Sequence, residues 1–224
     1  MIKRIINKVK FISLQARVEA FDQFKKIAPF DQLDDALMDR NKEMLCPYYA
    51  QYVNEISSAD MAASLELAAF LYGVCKLREY TKVLDLGSGL SSFVLRLYAS
   101  ETSGVQVYSV DDDPAWLLKT KVFLERHQLD VSNLLTVNQF FDSNESGFDC
   151  ILHDLNFVEV RINYIDKVIA LAKQNGLIIL DDVHKPDYRY QALKIVERTA
   201  SRVYSLEPVT IDNYYRYSYG VVKG

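Results

Sequence analysis

Cysteine is scarce in this chain of 224 residues: Cys46, Cys75 and Cys150 stand far apart and form no CxxC pair. That excludes a zinc knuckle and a disulfide framework, and makes a reducing cytosol the expected compartment. No run of eighteen apolar residues occurs, so no stretch reads as a membrane span. Internal repeats and low-complexity segments are missing as well. Nor is there an excess of basic residues. The formal charge is −4, whereas a general nucleic-acid binder needs cations to neutralise phosphates, so nucleic acid is not an expected partner. What is present is ordinary for a soluble globular protein: 50% of the residues are hydrophobic and 25% charged. The length suits one α/β domain with a helical extension.

The most informative stretch runs from Val83 to Ser92, Val-Leu-Asp-Leu-Gly-Ser-Gly-Leu-Ser-Ser, followed by Phe93-Val94-Leu95-Arg96-Leu97-Tyr98. It reads as a buried parallel strand, a tight glycine turn and the start of an amphipathic helix. Glycine allows the backbone to turn sharply and a ligand to lie against it. Ser91 or Ser92 is placed to cap the helix. A dinucleotide fingerprint needs a third glycine where Ser92 stands, and a P-loop needs a lysine that does not follow the turn. An acid two residues before the first glycine fits neither pattern. Asp85 with Gly87-x-Gly89 resembles the first motif of the class I S-adenosylmethionine-dependent methyltransferases. The resemblance implies that Asp85, Gly87, Ser88 and Gly89 hold the methionine part of the cofactor, which is zwitterionic and carries no phosphate. The bland alternative is a strand–turn–helix that only packs.

Residues 1–14 place Ile2, Ile5, Ile6, Val9 and Ile12 at helical spacing, with Lys3, Arg4, Lys8 and Lys10 mostly between them. Such a basic amphipathic helix lies on an anionic membrane surface, here the inner face, or docks on its own domain or on a second subunit of a homodimer. The docked reading is preferred. Residues 15–60 read as short helices broken at Pro29 and Pro47, so residues 1–60 form a helical extension or lid and 61–224 the main domain. Tyr48, Tyr49 and Tyr52 are candidates for an acceptor pocket or for simple packing. Ser57 to Asp60 read as the cap of a helix from Met61 to Leu77.

The second strand, Val105–Val110, ends in Asp111-Asp112-Asp113-Pro114, about twenty residues past the glycines. Asp111, the first acid off the strand, is placed to accept hydrogen bonds from ribose hydroxyls. Asp112 is a further cofactor candidate, although Asp112 and Asp113 before Pro114 also suit a helix N-terminus. Trp116 borders the adenine or packs half-buried. The third strand, Leu134–Val137, leads into a loop that edges the adenine in the resemblance, with Phe140, Phe141 or Asp142 as contacts and Phe141 carried forward. Phe148–Asp154 is the fourth strand and Gly176–Leu180 the fifth, ending in Asp181-Asp182-Val183-His184, with a helix over 158–173 between them. Ile162, Ile165, Val168, Ile169 and Ala172 form its inward stripe. A helix at Tyr190–Thr199 follows, then an antiparallel pair over Arg202–Val209 and Arg216–Val222. The expected fold is α/β: a Rossmann-like, doubly wound, mostly parallel seven-stranded sheet with a terminal antiparallel hairpin and an N-terminal helical extension. The resemblance covers roughly residues 60–224.

Five acids, Asp85, Asp111, Asp154, Asp181 and Asp182, share the carboxyl edge of this sheet, where ligands of open α/β folds bind. Like charges so close need a cation among them. The cofactor's sulfonium and amino groups answer Asp85 and Asp154, and a second cation is still required. Three carboxylates from two adjacent strands suit a hard divalent ion such as Mg²⁺. Phe148–Asp154 and Gly176–Asp182 resemble the metal-dependent O-methyltransferases, whose catechol-type members read Asp-Asn and sugar-type members Asp-Asp at the second site. The resemblance makes Asp154, Asp181 and Asp182 metal ligands and implies methyl transfer to a hydroxyl of a small acceptor, a sugar or a catechol-like diol. In the sugar-type pattern an acid stands two positions past the first ligand, where this chain has Asn156. His184 is then the better candidate base, because alternation sends His153 to the face opposite Asp154. Three alternatives stay open: a metal-free methyltransferase, a non-catalytic scaffold or membrane-associated protein on this fold, and a nicotinamide dehydrogenase, which Ser92 and the terminal hairpin oppose.

Overall fold

The computed structural model describes residues 11–224, so the expectations placed on residues 1–10 lie outside the described residues. Residues 11–15 are helical. Eight strands follow in chain order: β1 (Val18–Glu19), β2 (Lys82–Leu86), β3 (Gln106–Asp111), β4 (Leu134–Thr136), β5 (Phe148–His153), β6 (Ala172–Leu180), β7 (Arg202–Ser205) and β8 (Tyr219–Val222). They form one sheet in the order β1-β7-β8-β6-β5-β2-β3-β4. All pairings are parallel except those of β8, which runs antiparallel to both β6 and β7. β2 and β5 are buried along nearly their whole length because helices cover both faces, which is why they read as continuous apolar runs. The Rossmann-like architecture is therefore as expected, with one strand more. β1 comes from the amino-terminal segment and pairs with β7, covering what would otherwise be an open sheet edge. Arg202 fixes that pairing through two bonds to the Glu19 carboxylate, at 2.9 and 2.7 Å.

The helices used below are α1 (Asp35–Glu55), α2 (Leu65–Arg78), α3 (Leu90–Ser100), α4 (Pro114–Arg126), α5 (Val137–Asp142), α6 (Val158–Ile162), α7 (Ile165–Leu171) and α8 (Pro186–Val196). α1 corrects the expected break at Pro47, which lies inside this 21-residue helix. Proline there removes one intrahelical bond, but Met38, Leu45 and Tyr52 are buried on the same face, and that packing carries the helix through. Asn41, buried beside them, donates to the Ala69 carbonyl of α2 at 3.1 Å. α2 starts later than expected. Its cap is Ser64, whose hydroxyl accepts from the Leu67 amide at 3.0 Å, and this releases Met61–Ala63 into a loop. Every residue from Leu67 to Cys75 is buried, so α2 is a central helix, packed by Phe24 and Phe30 of the amino-terminal segment as well as by the sheet. The distant Cys75 and Cys150 meet in this core as free thiols.

Other boundaries also differ from expectation, among them the helix expected at Tyr190–Thr199, which runs over Pro186–Val196. The loop after β4 is the helix α5, capped by Thr136. The single helix foreseen over 158–173 divides at Asn163-Tyr164 into α6 and α7, and Ala172 already belongs to β6. The closing strands shrink to β7 and β8, with a short helix at Glu207–Thr210 and a turn gathered on Asp212, which accepts from the amides of Tyr214 and Arg216. Among the described residues no helix is long and apolar enough to cross a membrane.

Candidate functional site

β2 neighbours both β3 and β5, so the chain leaves the carboxyl end of β2 at the point where strand order reverses. A crevice opens there in α/β sheets. Gly87 sits at its neck. Its φ is +106°, its amide bonds to the Val110 carbonyl at 2.8 Å, and a Cβ at this position would stand 2.4 Å from the Asp154 carbonyl oxygen. Only glycine fits. A Cβ on Gly89 would meet the Tyr52 hydroxyl at 2.8 Å, so α1 closes the other side of the loop. Tyr52 is the member of the tyrosine cluster that lines the crevice, a cavity of about 620 Å³.

Ser88 ties the glycine loop to β3. Its amide and hydroxyl both donate to Asp111 Oδ2, at 2.8 and 3.0 Å, and the Asp113 amide donates to Oδ1 at 3.0 Å. Burial raises the Asp111 carboxyl above its ordinary range while these donors oppose the rise. Asp112 lines the cavity and takes a hydrogen bond from the Asn156 amide. Asp113 caps α4 through the Ala115 amide at 2.8 Å, as its place before Pro114 suggested. Trp116 borders the cavity half-buried, and its indole N–H donates to the Ser88 carbonyl at 2.7 Å.

Two cofactor candidates stand elsewhere. Asp85 lies beneath the cavity wall, fully buried. The hydroxyls of Ser92 and Ser91 donate to its Oδ2 at 2.5 and 3.1 Å, Oδ1 has no partner among the described residues, and burial pushes the carboxyl up to about 7. Neither serine is the helix cap. Ser92 instead accepts from the Gly89 amide at 3.2 Å, so Asp85 secures the glycine loop from below. Phe141 is absent from the lining and stacks on Tyr164 with ring centroids 5.6 Å apart. The cause is α5, whose helical turn sends Phe140 into the core and Phe141 along the outer face.

At the ends of β5 and β6 lie the other three acids, two of them bridged by an arginine. Arg161 of α6, with a side chain only 7% exposed, places Nη2 2.5 Å from Asp154 Oδ1 and Nη1 3.1 Å from Asp182 Oδ2. Its Nε donates to the carbonyls of Leu155 and Asn156, at 3.3 and 3.0 Å. Lys185 Nζ lies 2.7 Å from the same Asp182 oxygen, and the Ser218 hydroxyl donates to Asp181 Oδ1 at 2.7 Å. Burial would raise Asp182, but Arg161 and Lys185 hold its carboxyl below the ordinary range. Burial pushes Asp154 and Asp181 upward. These residues do not fit a divalent ion, because a fixed guanidinium already occupies the space among the carboxylates. Among the described residues no three His, Cys, Asp or Glu side chains stand in an arrangement that would hold a metal.

His184 faces the cavity with Nδ1 3.5 Å from Asp182 Oδ1. Burial lowers its pKa, so the imidazole is neutral near pH 7. His153 is fully buried on the other side, its Nε2 2.9 Å from the Arg161 carbonyl, and burial lowers it to about 4. The mouth carries exposed apolar side chains: Met61 is 68% exposed, Phe157 72% and Tyr214 52%. Arg216 clamps this rim, donating to the Asp60 and Ala59 carbonyls at 2.7 and 2.9 Å while Asp212 holds its Nε at 2.7 Å. The sequence reading missed Arg161, and a signal existed. Stepping back four residues along the inward stripe from Ile165 reaches Arg161, a charge where an apolar residue is expected.

No family model matches the chain. Over 107 residues it is 29% identical to the ribosomal protein L11 methyltransferase of Thermosipho africanus, an alignment that takes in 48% of this chain and 39% of that protein. Among solved structures, the O-methyltransferase of Bacillus cereus in complex with S-adenosylhomocysteine superposes with a TM-score of 0.60 at 15% identity, covering 94% of this chain and 100% of that one. The O-methyltransferase TomG of Streptomyces achromogenes, in complex with S-adenosylmethionine, gives 0.58 at 16% identity, with 90% and 95% covered. The S-adenosylhomocysteine-bound methyltransferase PaMTH1 of Podospora anserina gives 0.60 at 14% identity, with 88% and 97% covered. The chain has the fold of the class I S-adenosylmethionine-dependent methyltransferases.

Proposed function

We propose that this protein is an S-adenosylmethionine-dependent O-methyltransferase acting on a hydroxyl of a small acceptor. The observation that carries the reading is Asp111, a strand-end carboxylate locked to Ser88 of the glycine loop on the wall of the crevice. That is the arrangement in which an acid receives ribose hydroxyls while a glycine turn admits the rest of the ligand. The surplus of acids at the strand ends supports a cationic cofactor over a phosphorylated one. The O-methyltransferase neighbours support oxygen as the accepting atom.

S-adenosylmethionine, when bound, supplies a methyl group on a positively charged sulfur. Asp111 would hold the ribose, Trp116 would border the adenine, and the neck at Gly87 and Asp154 would hold the methionine end. His184, beside Asp182, is the candidate base: it would take the acceptor hydroxyl's proton, and the bound cofactor would supply the methyl group to that oxygen, its carbon–sulfur bond breaking to leave a neutral thioether. Met61, Phe157 and Tyr214 would exclude water over the acceptor. The divalent ion implied by the sugar-type pattern has no part in this reading.

Calorimetric titration with S-adenosylhomocysteine tests the proposal. One saturable site, weakened at least about ten-fold by Asp111→Ala, is the expected result. Absence of binding at two temperatures would refute the cofactor assignment.

A further inference from the structure

We infer that Arg161 is the permanent cation of this site, standing where a divalent ion would otherwise sit, so that the methyl transfer proposed above proceeds without a metal. The inference rests on that functional reading for its chemistry, but its geometry stands alone. A divalent ion at this edge would draw on the oxygens of Asp154, Asp181 and Asp182. One oxygen of each is engaged already: Asp154 Oδ1 and Asp182 Oδ2 by Arg161, Asp182 Oδ2 also by Lys185, and Asp181 Oδ1 by Ser218. An ion among them would lie against a guanidinium of like sign. The arginine cannot swing away cheaply, because Nε is bonded to two carbonyls and the residue's own carbonyl is held by His153 from behind.

Charge points the same way. Arg161 and Lys185 already set two cations against these carboxyl groups, and a divalent ion would add like charge beside them. Arginine also supplies what the ion would have supplied in geometry: its planar fork fixes two carboxylates from different strands at once. It therefore acts as a positioning residue, fixing the carboxylates of Asp154 and Asp182.

The test is Mn²⁺ binding, followed by electron paramagnetic resonance and by calorimetry, in the parent protein, Arg161→Lys and Arg161→Gln, with folding of each checked by circular dichroism. The parent and Arg161→Lys are expected to bind no Mn²⁺ saturably. Arg161→Gln, which keeps the bulk and loses the charge, is expected to gain one site, and adding Asp182→Asn should abolish it. A merely structural arginine would not produce that gain. Saturable Mn²⁺ binding by the parent, lost in Asp182→Asn, would overturn the inference, as would a folded Arg161→Gln that binds none. If Arg161→Gln does not fold, the parent titration still decides. S-adenosylhomocysteine affinity of the parent, measured with and without chelator, should be equal. If that ligand fails to bind at all, the proposed function falls, while the Mn²⁺ measurement still judges Arg161.

Discussion

The two halves of the crevice solve the same electrostatic problem in different ways. On the β2–β3 side, buried Asp85 and Asp111 are held by neutral donors, the hydroxyls of Ser91 and Ser92, the Ser88 hydroxyl and backbone amides. On the β5–β6 side, Asp154 and Asp182 are held by charges, Arg161 and Lys185. Neutral donors leave an acid free to change its protonation state with burial, and Asp85 is accordingly raised to about 7. Cations oppose that rise: Arg161 and Lys185 hold Asp182 below its ordinary range, while at Asp154 burial outweighs Arg161. The first arrangement suits a wall that receives a ligand. The second suits a constellation that must keep one geometry throughout.

The sharpest way to break the comparison is to remove the cation. Arg161→Met strands two carboxylates in a buried site, and losing one partner of such a pair costs about 3–5 kcal/mol. Urea unfolding at pH 7 should show that loss. A change below about 1 kcal/mol would mean that the carboxylates had simply taken up protons, and the two halves would then be alike.

The protonation of Asp85 gives the next effect. Its pKa is raised in the folded state, so the folded protein holds this proton more tightly than the unfolded chain. The resulting stability is complete below about 4, declines as pH rises, and is gone above about 7; in full it amounts to about 4 kcal/mol. Other acids, such as Asp182 and Asp149, are lowered and contribute the opposite slope, so the parent must be compared with Asp85→Asn. The stability difference between the two should shift steadily from pH 4 to pH 7 and then level off. A difference independent of pH would show that Asp85 is ionised throughout.

A smaller effect comes from the neck that joins the halves. Gly87→Ala pushes a methyl group into the Asp154 carbonyl and forces alanine to a φ near +106°. The expected cost is about 2–3 kcal/mol in stability. S-adenosylhomocysteine binding should be lost with it, and binding retained at parental strength would sink the assignment of this loop as the cofactor cradle.

The same contrast explains what was legible in the chain. The glycine half is local: Asp85, Gly87, Ser88 and Ser92 lie within eight residues, and their strand–turn–helix is written in hydrophobic periodicity and glycine spacing. Asp111 followed because strand ends are readable from the same pattern. The other half depends on contacts across the sequence. Arg161 reaches 7 residues back to Asp154 and 21 forward to Asp182, and only a charge on an apolar stripe hinted at it. The sequence placed the three acids together but not their counter-ion, so a metal filled the vacancy. Phe141 was misassigned for a related reason: a capping box at Thr136 and Gln139 turns the expected loop into a helix. Pro47 marked no break because tertiary packing overrode a local rule, and β1 was too short to show any alternation.

The smallest effect compares two hydroxyls that each donate to a buried acid. Ser92 donates to Asp85 and Ser218 to Asp181, at 2.5 and 2.7 Å. Among the described residues Asp85 makes no ion pair, although the Arg96 charge acts on it, and its second oxygen has no partner, so Ser92→Ala leaves it with the weaker Ser91 bond and also strips the Gly89 amide of its acceptor. A loss of about 2 kcal/mol is expected. Ser218→Ala leaves Asp181 in the field of Arg161, which lowers it, and about 1 kcal/mol is expected there. The order is the point, more than either magnitude. Thermal melts of the two variants at pH 7.5 should place Ser92→Ala below Ser218→Ala. The reverse order would mean that the positive charge at the β5–β6 edge does not reach Asp181, and the division of the crevice into a neutral half and a charged half would fail at its weakest contact.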